Sequence, residues 1–471
     1  MGLKLNLSLI GSAAVLLAAC LVMALQPFSP DLNIQGHMVI GGLLIAVGIW
    51  IFKPFNLPFS SGGLFLAGFL LLAKLPPAVV FAGFTQSALW TLIPALFFGL
   101  VLQKTGLGRV VAIRVIRLFK PTYPSMILAW LIIGIILSLL TPSITVRVAI
   151  IMPIAAQCLD LFDLEPGSKG NSLLMLTAFA VAILPGTGWL SGSLWGPIIM
   201  GLCNAVPGME GLLDFYSWIK IAFIPMEIIT ILTLVAGYFV LKPERELSDQ
   251  TASAPWAEQG APITTEQRIA ALIMGLAFVL FATSRLHGIP DAAICTLSVV
   301  LFFVCRVLDV SDFNAGISWD LAIFFGMALS LGSVFATTGV SAWIAGVIVP
   351  ALAPIAGNPW LFMFGIVLVM YVWRFVDIAL MIPTMAIVTP ILPAVSATYG
   401  ISPLVWVVIF IIAGNSMFLA YQNMWALMSQ TIAGPRTWTA QHLARYGTVY
   451  FVASLIGLAV AVPLYVSFGL I

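Results

Sequence analysis

The chain has 471 residues, of which 62% are hydrophobic and 8% charged, with a formal net charge of +2. Soluble domains carry about 25% charged residues, so this composition excludes a water-facing globular protein and makes lipid the main solvent. The small net charge excludes nucleic acid as a natural partner. The five cysteines (Cys20, Cys158, Cys203, Cys295, Cys305) and three histidines (His37, His287, His442) have neither the spacing of a metal site nor that of a nucleophile–base pair.

A spanning helix needs about 20 apolar residues. Such runs cover roughly 7–25, 38–53, 62–74, 88–104, 172–204, 217–241, 266–285, 290–306, 319–336, 403–432 and 447–469. The first follows Lys4 and is succeeded at once by further apolar runs, so it reads as a transmembrane helix rather than a signal peptide. Two more regions, 123–158 and 359–397, are long but broken near their middles by proline and polar residues. The expectation is an all-α integral membrane protein in which these two are re-entrant helical hairpins. Irregular backbone at membrane depth is tolerated only when protein buries it or it lines a cavity, so the breaks mark the working centre.

The halves resemble each other in order. Residues 1–241 hold scaffold helices, the hairpin 123–158 and a Gly-interrupted helix 172–204. A polar linker, 242–265, leads to residues 266–471 with the hairpin 359–397 and the broken helix 403–432. A run starting at Trp90 ends at Thr105-Gly106, and a run starting at Trp319 ends at Thr338-Gly339. Residues 104–120 carry Lys104, Arg109, Arg114, Arg117 and Lys120, whereas 337–359 carry no charge. The positive-inside rule then inverts the repeats and puts the N-terminus in the cytoplasm and the C-terminus outside, in a cell inner membrane. The basic cluster also fits a snorkelling interfacial helix.

The first hairpin tip is "TPSITVRVAIIMP", 141–153. Pro142 breaks the helix, Ser143 stands where an N-cap belongs, and Thr145 follows. A half-helix starting there aims free N–H groups at an anion, while freed carbonyls suit a sodium ion. Arg147 adds a forked cation for carboxylate or sulfate, or else snorkels or pairs internally. In "PGTGWLSGSLWGP", 185–197, glycines 186, 188, 192 and 196 permit an unwound stretch in which Thr187, Ser191 and Ser193 offer oxygens. Close helix packing is the competing reading. In the second half Arg374 and Asp377 stand three apart, as an internal ion pair or with Asp377 as a coupling group. Thr384 lies at the second break, and Asn415, Ser416, Tyr421, Gln422 and Asn423 bring amides and hydroxyls into an apolar span, for ligand binding or interhelical hydrogen bonds.

The runs "VFAGFTQSALWTLIPALFFGLVLQKTGLGR" (79–109), "TPSITVRVAIIMPIA" and "ISWDLAIFFGMALSLG" (317–332) resemble the divalent anion:sodium symporter family, whose members carry dicarboxylates, citrate and sulfate. The resemblance covers nearly the whole chain. It implies about eleven transmembrane helices, two opposed re-entrant hairpins, a homodimer and elevator-type movement of a transport domain. The family's Ser-Asn-Thr motif at each hairpin tip reads Ser143-Ile144-Thr145 in the first and Leu380-Met381-Ile382 in the second, a partial and a complete departure.

The expectation is therefore a secondary transporter, not an enzyme, with no cofactor beyond sodium as coupling ion. Ser143, Thr145, Arg147, Gln422 and Asn423 are the expected substrate contacts. Ser143, Thr145, Gly186, Thr187, Gly188, Ser191, Gly192 and Ser193 are the expected sodium ligands, with Asp377 and Thr384 as possible coupling groups. Proton coupling or antiport through Asp377 is the rival. A membrane-embedded enzyme or sensor is the remote alternative, for which no nucleophile–base pair or signalling domain is visible.

Overall fold

A computed structural model describes residues 2–247, 262–377 and 381–471. The described residues form helices joined by turns, with no strand among them. Among the described residues, eleven helices are long and apolar enough to cross a membrane. The number agrees with the sequence expectation but its membership differs. Both arms of the first hairpin, Tyr123–Leu140 and Ile144–Leu161, qualify by length, whereas Phe59–Leu72, Asp291–Val304 and Val405–Gly414 are shorter apolar helices. The hairpin arms have 18 residues each, about 27 Å at 1.5 Å per residue, so they are full-length helices rather than half-helices.

Small polar caps set the helix starts. Thr122, Ser143, Ser168 and Thr439 each stand in extended backbone before a helix, and each accepts the N–H of the third helical residue. The two ends of the first hairpin lie together. Tyr123, at its start, meets Gly170. Leu164, just past its end, gives its carbonyl to Arg436 Nη1 at 2.8 Å, and Asp160 pairs with the same guanidinium. Asn171 Nδ2 in turn donates to the carbonyls of Arg436 and Thr437 at 3.1 and 3.0 Å. The hairpin therefore leaves and returns on one face.

The second hairpin is less regular. Its first arm is Pro359–Trp373 and its second is Ile382–Val388 continued by Leu392–Tyr399. Met381 opens the second arm in the left-handed region at φ 56°. Leu380, the first residue of the expected second motif, lies outside the described residues. The arm ends where the Tyr399 hydroxyl donates to the Val349 carbonyl, at 2.7 Å.

Burial shows where the centre is. Every residue from Gly170 to Ile183 is buried in the helix leading to the first break, and every residue of Val405–Gly414 is buried in the helix leading to the second. Helices apolar on all sides belong inside protein rather than against lipid. The outer helix Gly2–Leu25 shows the reverse pattern, with Ile10, Leu17 and Leu25 at 62–70% exposure, as a lipid-facing helix does.

Candidate functional site

At the first break the chain leaves Lys169–Ile183, makes 3₁₀ turns at Pro185–Gly188 and Leu190–Gly192, and resumes as Trp195–Asn204. The two turns touch through glycine. A Cβ on Gly186 would meet the Gly192 carbonyl and Arg147 Nη1, and one on Gly192 would meet the Trp189 indole nitrogen and the Gly186 carbonyl. Thr187 is used up locally: its hydroxyl donates to the Leu184 carbonyl at 2.6 Å, and its carbonyl accepts the Trp218 indole N–H at 3.1 Å. Ser193 Oγ accepts the Trp195 N–H at 3.3 Å, while the buried Ser191 Oγ has no partner.

Arg147 is fully buried one turn into the helix capped by Ser143. Its Nη1 donates to the Gly192 carbonyl at 2.7 Å, and Nε and Nη2 have no partner. The sequence left snorkelling open; full burial and this bond exclude it. Beside Gly188 of the Pro185–Gly188 turn stands Glu227, with Oε1 buried and unpartnered. It follows a π-helical turn, Ile219–Phe223, a local register shift often found at functional sites.

The second break repeats the device with other residues. Val405–Gly414 ends, 3₁₀ turn Ala420–Gln422 follows, and Asn423 caps Met424–Ala433 by accepting the Trp425 N–H at 3.1 Å. Arg374, also fully buried, caps the first arm of its hairpin and donates to the backbone carbonyls of Gln422 and Asp377. The expected pair of Arg374 and Asp377 on one helix face is corrected in its geometry. The helix ends at Trp373, so Asp377 lies in the turn beyond, and its carboxylate accepts the Thr384 hydroxyl. The Trp373 indole donates to the same hydroxyl, at 2.7 Å.

Two tryptophans join the halves. Trp195, first residue after the first break, donates its indole N–H to Asn415 Oδ1 in the second break at 3.1 Å. Trp425, just after the second break, donates to Thr145 Oγ1 at the first hairpin tip, also at 3.1 Å. Beside this link opens a chamber of about 420 Å³. Ser143, Thr145 and Val146 line it from the hairpin, Leu194, Met424 and Trp425 from the breaks, and Gln103, Ser318 and Asp320 from elements outside both. Small-molecule sites run to about 300–1,000 Å³.

The structure thus gathers Ser143 and Thr145 on the chamber wall, with Gln422 and Asn423 adjoining Trp425 in the chain. It sets Arg147 behind the wall, against the first break. Tyr421 is exposed and Asp377 and Thr384 lie in a separate group around Arg374. The sequence reading passed over Trp195, Trp425 and Glu227. Glu227 had the same signal as Asp377, a lone carboxyl in an apolar run. The tryptophans had none, because indoles in a membrane chain are ordinary.

Around the breaks, buried polar atoms without a partner are mostly donors: Arg147 Nε and Nη2, Trp189 Nε1, Arg374 Nε, Asn415 Nδ2, Gln422 Nε2 and Asn423 Nδ2. Glu227 Oε1 there is an acceptor, the Ser191 and Ser416 hydroxyls can act either way, and Gln157 Oε1 and Asn171 Oδ1 are idle acceptors on the neighbouring helices. Buried polar groups in native proteins are normally paired, so a cluster of idle donors calls for an acceptor-rich ligand. No cluster of three or more His, Cys, Asp or Glu that could hold a metal occurs among the described residues.

A family model described as the sodium:sulfate symporter transmembrane region matches residues 7–470. The chain belongs to this family. Its name is that of a family of membrane transporters. A protein named L-tartrate/succinate antiporter from Escherichia coli (strain K12) is 25% identical over 353 residues, covering 71% of this chain and 70% of its own. A protein named only as a membrane protein, from Cupriavidus necator, is 24% identical over 353 residues, 70% of this chain and 68% of its own. In fold, the chain is similar to the crystal structure of the Alcanivorax borkumensis YdaH transporter, described as having an unusual topology. The TM-score is 0.56 at 14% identity, over 99% of this chain and 98% of that one.

Proposed function

We propose that the protein is a secondary transporter of a small dianion, a dicarboxylate or sulfate, working by alternating access. The surplus of idle buried donors around the two breaks carries this reading. A helix N-terminus capped by Ser143 and a chamber of about 420 Å³ support it. So do the names of the family and of the tartrate/succinate relatives. In an elevator-type cycle the hairpins and breaks would move together against the scaffold that supplies Gln103, Ser318 and Asp320. A homodimer in a bacterial inner membrane goes with that cycle.

Two couplings suit such a carrier. In sodium symport, Ser143, Thr145 and the carbonyls and hydroxyls of 186–193 would hold the ion. In exchange, one anion leaves as another enters. Exchange is favoured by the antiporter name of the relatives and by Arg147 holding the Gly192 carbonyl. Proteoliposomes loaded with succinate should take up labelled succinate, tartrate or sulfate faster than unloaded vesicles. Uptake no greater than that of protein-free liposomes for every dianion tried would sink the transport reading. Accumulation that follows an imposed sodium gradient would restore symport.

A further inference from the structure

We infer that the groove between the helices Ile224–Val240 and Ala440–Ser467 seats one anionic phospholipid of the bilayer, with its phosphate on Arg445 and one acyl chain along the groove. The inference does not depend on what the protein carries. Both helices belong to segments long and apolar enough to cross a membrane. They pack side by side, and the seam closes where Tyr446 meets Gly237 and Ile229 meets Gly457. Outside that seam runs an open groove of about 390 Å³. Leu232, Ala236 and Val240 form one wall, and Val449, Val452, Ala453 and Ile456 the other. Residues three and four apart share a helix face, so each wall is a continuous apolar strip, and the two alanines leave the trough open. Ile231, Val235 and Phe239 are exposed beside it, as side chains are that meet lipid.

The polar end of the groove selects the lipid. Arg445 and Thr448 close it there, and Lys242 follows Val240 by two residues, at the same end. Neither cation makes an ion pair among the described residues. The acids of this end are engaged elsewhere or exposed. Glu244 accepts the N–H groups of Lys169 and Gly170, Asp160 and Asp163 pair with Arg436 and Arg245, and Glu246 is exposed. Arg445 is therefore an exposed guanidinium at the head of an apolar trough, and its fork matches a phosphate. The Thr448 hydroxyl donates to the Ala444 carbonyl at 2.9 Å, which leaves its oxygen as an acceptor for a headgroup hydroxyl. From Arg445 to Ile456 the helix rises about 16 Å at 1.5 Å per residue. One leaflet of hydrocarbon is about 15 Å thick. A phosphate on Arg445 thus sets an acyl chain in register with the whole groove. The seat has a structural consequence, because Phe223 and Glu227, at the start of the same helix, lie against Gly188. A lipid that ties the two helices together steadies the wall of the first break.

Native mass spectrometry of the purified protein in an equimolar mixture of phosphatidylglycerol and phosphatidylcholine tests the seat. A basic side chain near a membrane surface gives about a fivefold preference for an anionic lipid, so phosphatidylglycerol should be retained in about that excess. Arg445→Gln should abolish the preference and Arg445→Lys should keep most of it. Ala236→Phe fills the trough and should lower retention of phosphatidylglycerol. A phosphatidylglycerol with a photoreactive group in its acyl chain should cross-link to residues 232–240 and 449–456 of the unaltered protein, a readout that needs no variant to fold. Phosphatidylglycerol should also raise the melting temperature in detergent, whereas inorganic phosphate at the same concentration should not. Equal retention of the two lipids would overturn the inference, as would a preference that survives Arg445→Gln, retention undiminished in Ala236→Phe, or cross-links confined to other helices. An equal rise in melting temperature with inorganic phosphate would make this a site for a soluble anion and overturn the lipid assignment. Each of those outcomes leaves the transport reading standing, and failure of transport leaves this inference standing.

Discussion

The two breaks solve one problem with different parts. Each is a helix interrupted deep in the protein, and in each a buried arginine from the hairpin of the same half holds a carbonyl of the unwound turn. At the first, glycines make the turn and the arginine comes from the arm after the tip. At the second, amides replace glycines and the arginine comes from the end of the arm before the tip. The charge settings differ as well. Arg374 has Asp377 beside it, whereas Arg147 faces a neutral carbonyl. The second break sets its arginine beside a carboxylate of its own hairpin, while at the first the arginine bonds a carbonyl and the nearby carboxyl, Glu227, stands at Gly188. The repeat is thus preserved as architecture while the roles have separated.

That contrast is most easily broken at Gly186. In Gly186→Ala the new Cβ has to displace the Gly192 carbonyl and Arg147, and backbone cannot yield cheaply. Overpacking of this kind costs about 1–3 kcal/mol, and the shift separates Arg147 from its carbonyl. The expected result is loss of transport with a lowered melting temperature. A fully active Gly186→Ala protein would show that the first break is not tightly built.

The arginines should separate next. Arg374→Gln removes bonds to two buried carbonyls and leaves Asp377 without its cation, a loss of about 3–5 kcal/mol for a buried charge deprived of its partner. It should lower thermal stability in detergent more than Arg147→Gln, which removes one such bond. Equal destabilisation by both would mean that the two breaks are energetically alike.

The tryptophan links give a finer cut. Trp425→Phe and Trp195→Phe each lose one buried indole hydrogen bond, about 1 kcal/mol of stability apiece. Only Trp425 lines the chamber, so only its variant should also raise the KM for the dianion. A KM change of the same size in Trp195→Phe would place the chamber wrongly.

The smallest effect belongs to the rim. The carboxyl of Asp312 is held below its ordinary value, first by the Asp309 N–H and then by Lys104, which lies 2.5 Å away. A depressed carboxyl contributes stability above its unfolded-state value and loses it as pH falls through the lowered one. Asp312→Asn should therefore reduce stability at neutral pH by no more than about 1 kcal/mol, with the difference fading in acid. Melting curves from neutral to acid pH check the sign.

How much of this the sequence carried depends on the residue. Pro142 and Ser143 announced the first tip, since proline ends a helix and serine caps the next, and the caps stand as expected. The glycines at 186 and 192 likewise marked an unwound stretch. The partner of Arg147 was not legible, because Gly192 lies 45 residues away and a carbonyl has no residue signature. Arg374 and Asp377 were misplaced on a continuous helix because nothing between them signals that it ends at Trp373. The chamber was invisible for a similar reason: segments around Phe59, Gln103 and Asp320, distant in sequence, help to wall it.

The central claim is that the idle buried donors around the two breaks serve a transported dianion. The most direct measurement is uptake of labelled succinate, tartrate or sulfate by proteoliposomes loaded with succinate, against unloaded and protein-free vesicles. The account predicts uptake well above that of protein-free vesicles, and its loss in Arg147→Gln. Uptake no greater than that of protein-free vesicles for every dianion tried, or full activity in Arg147→Gln, would contradict it.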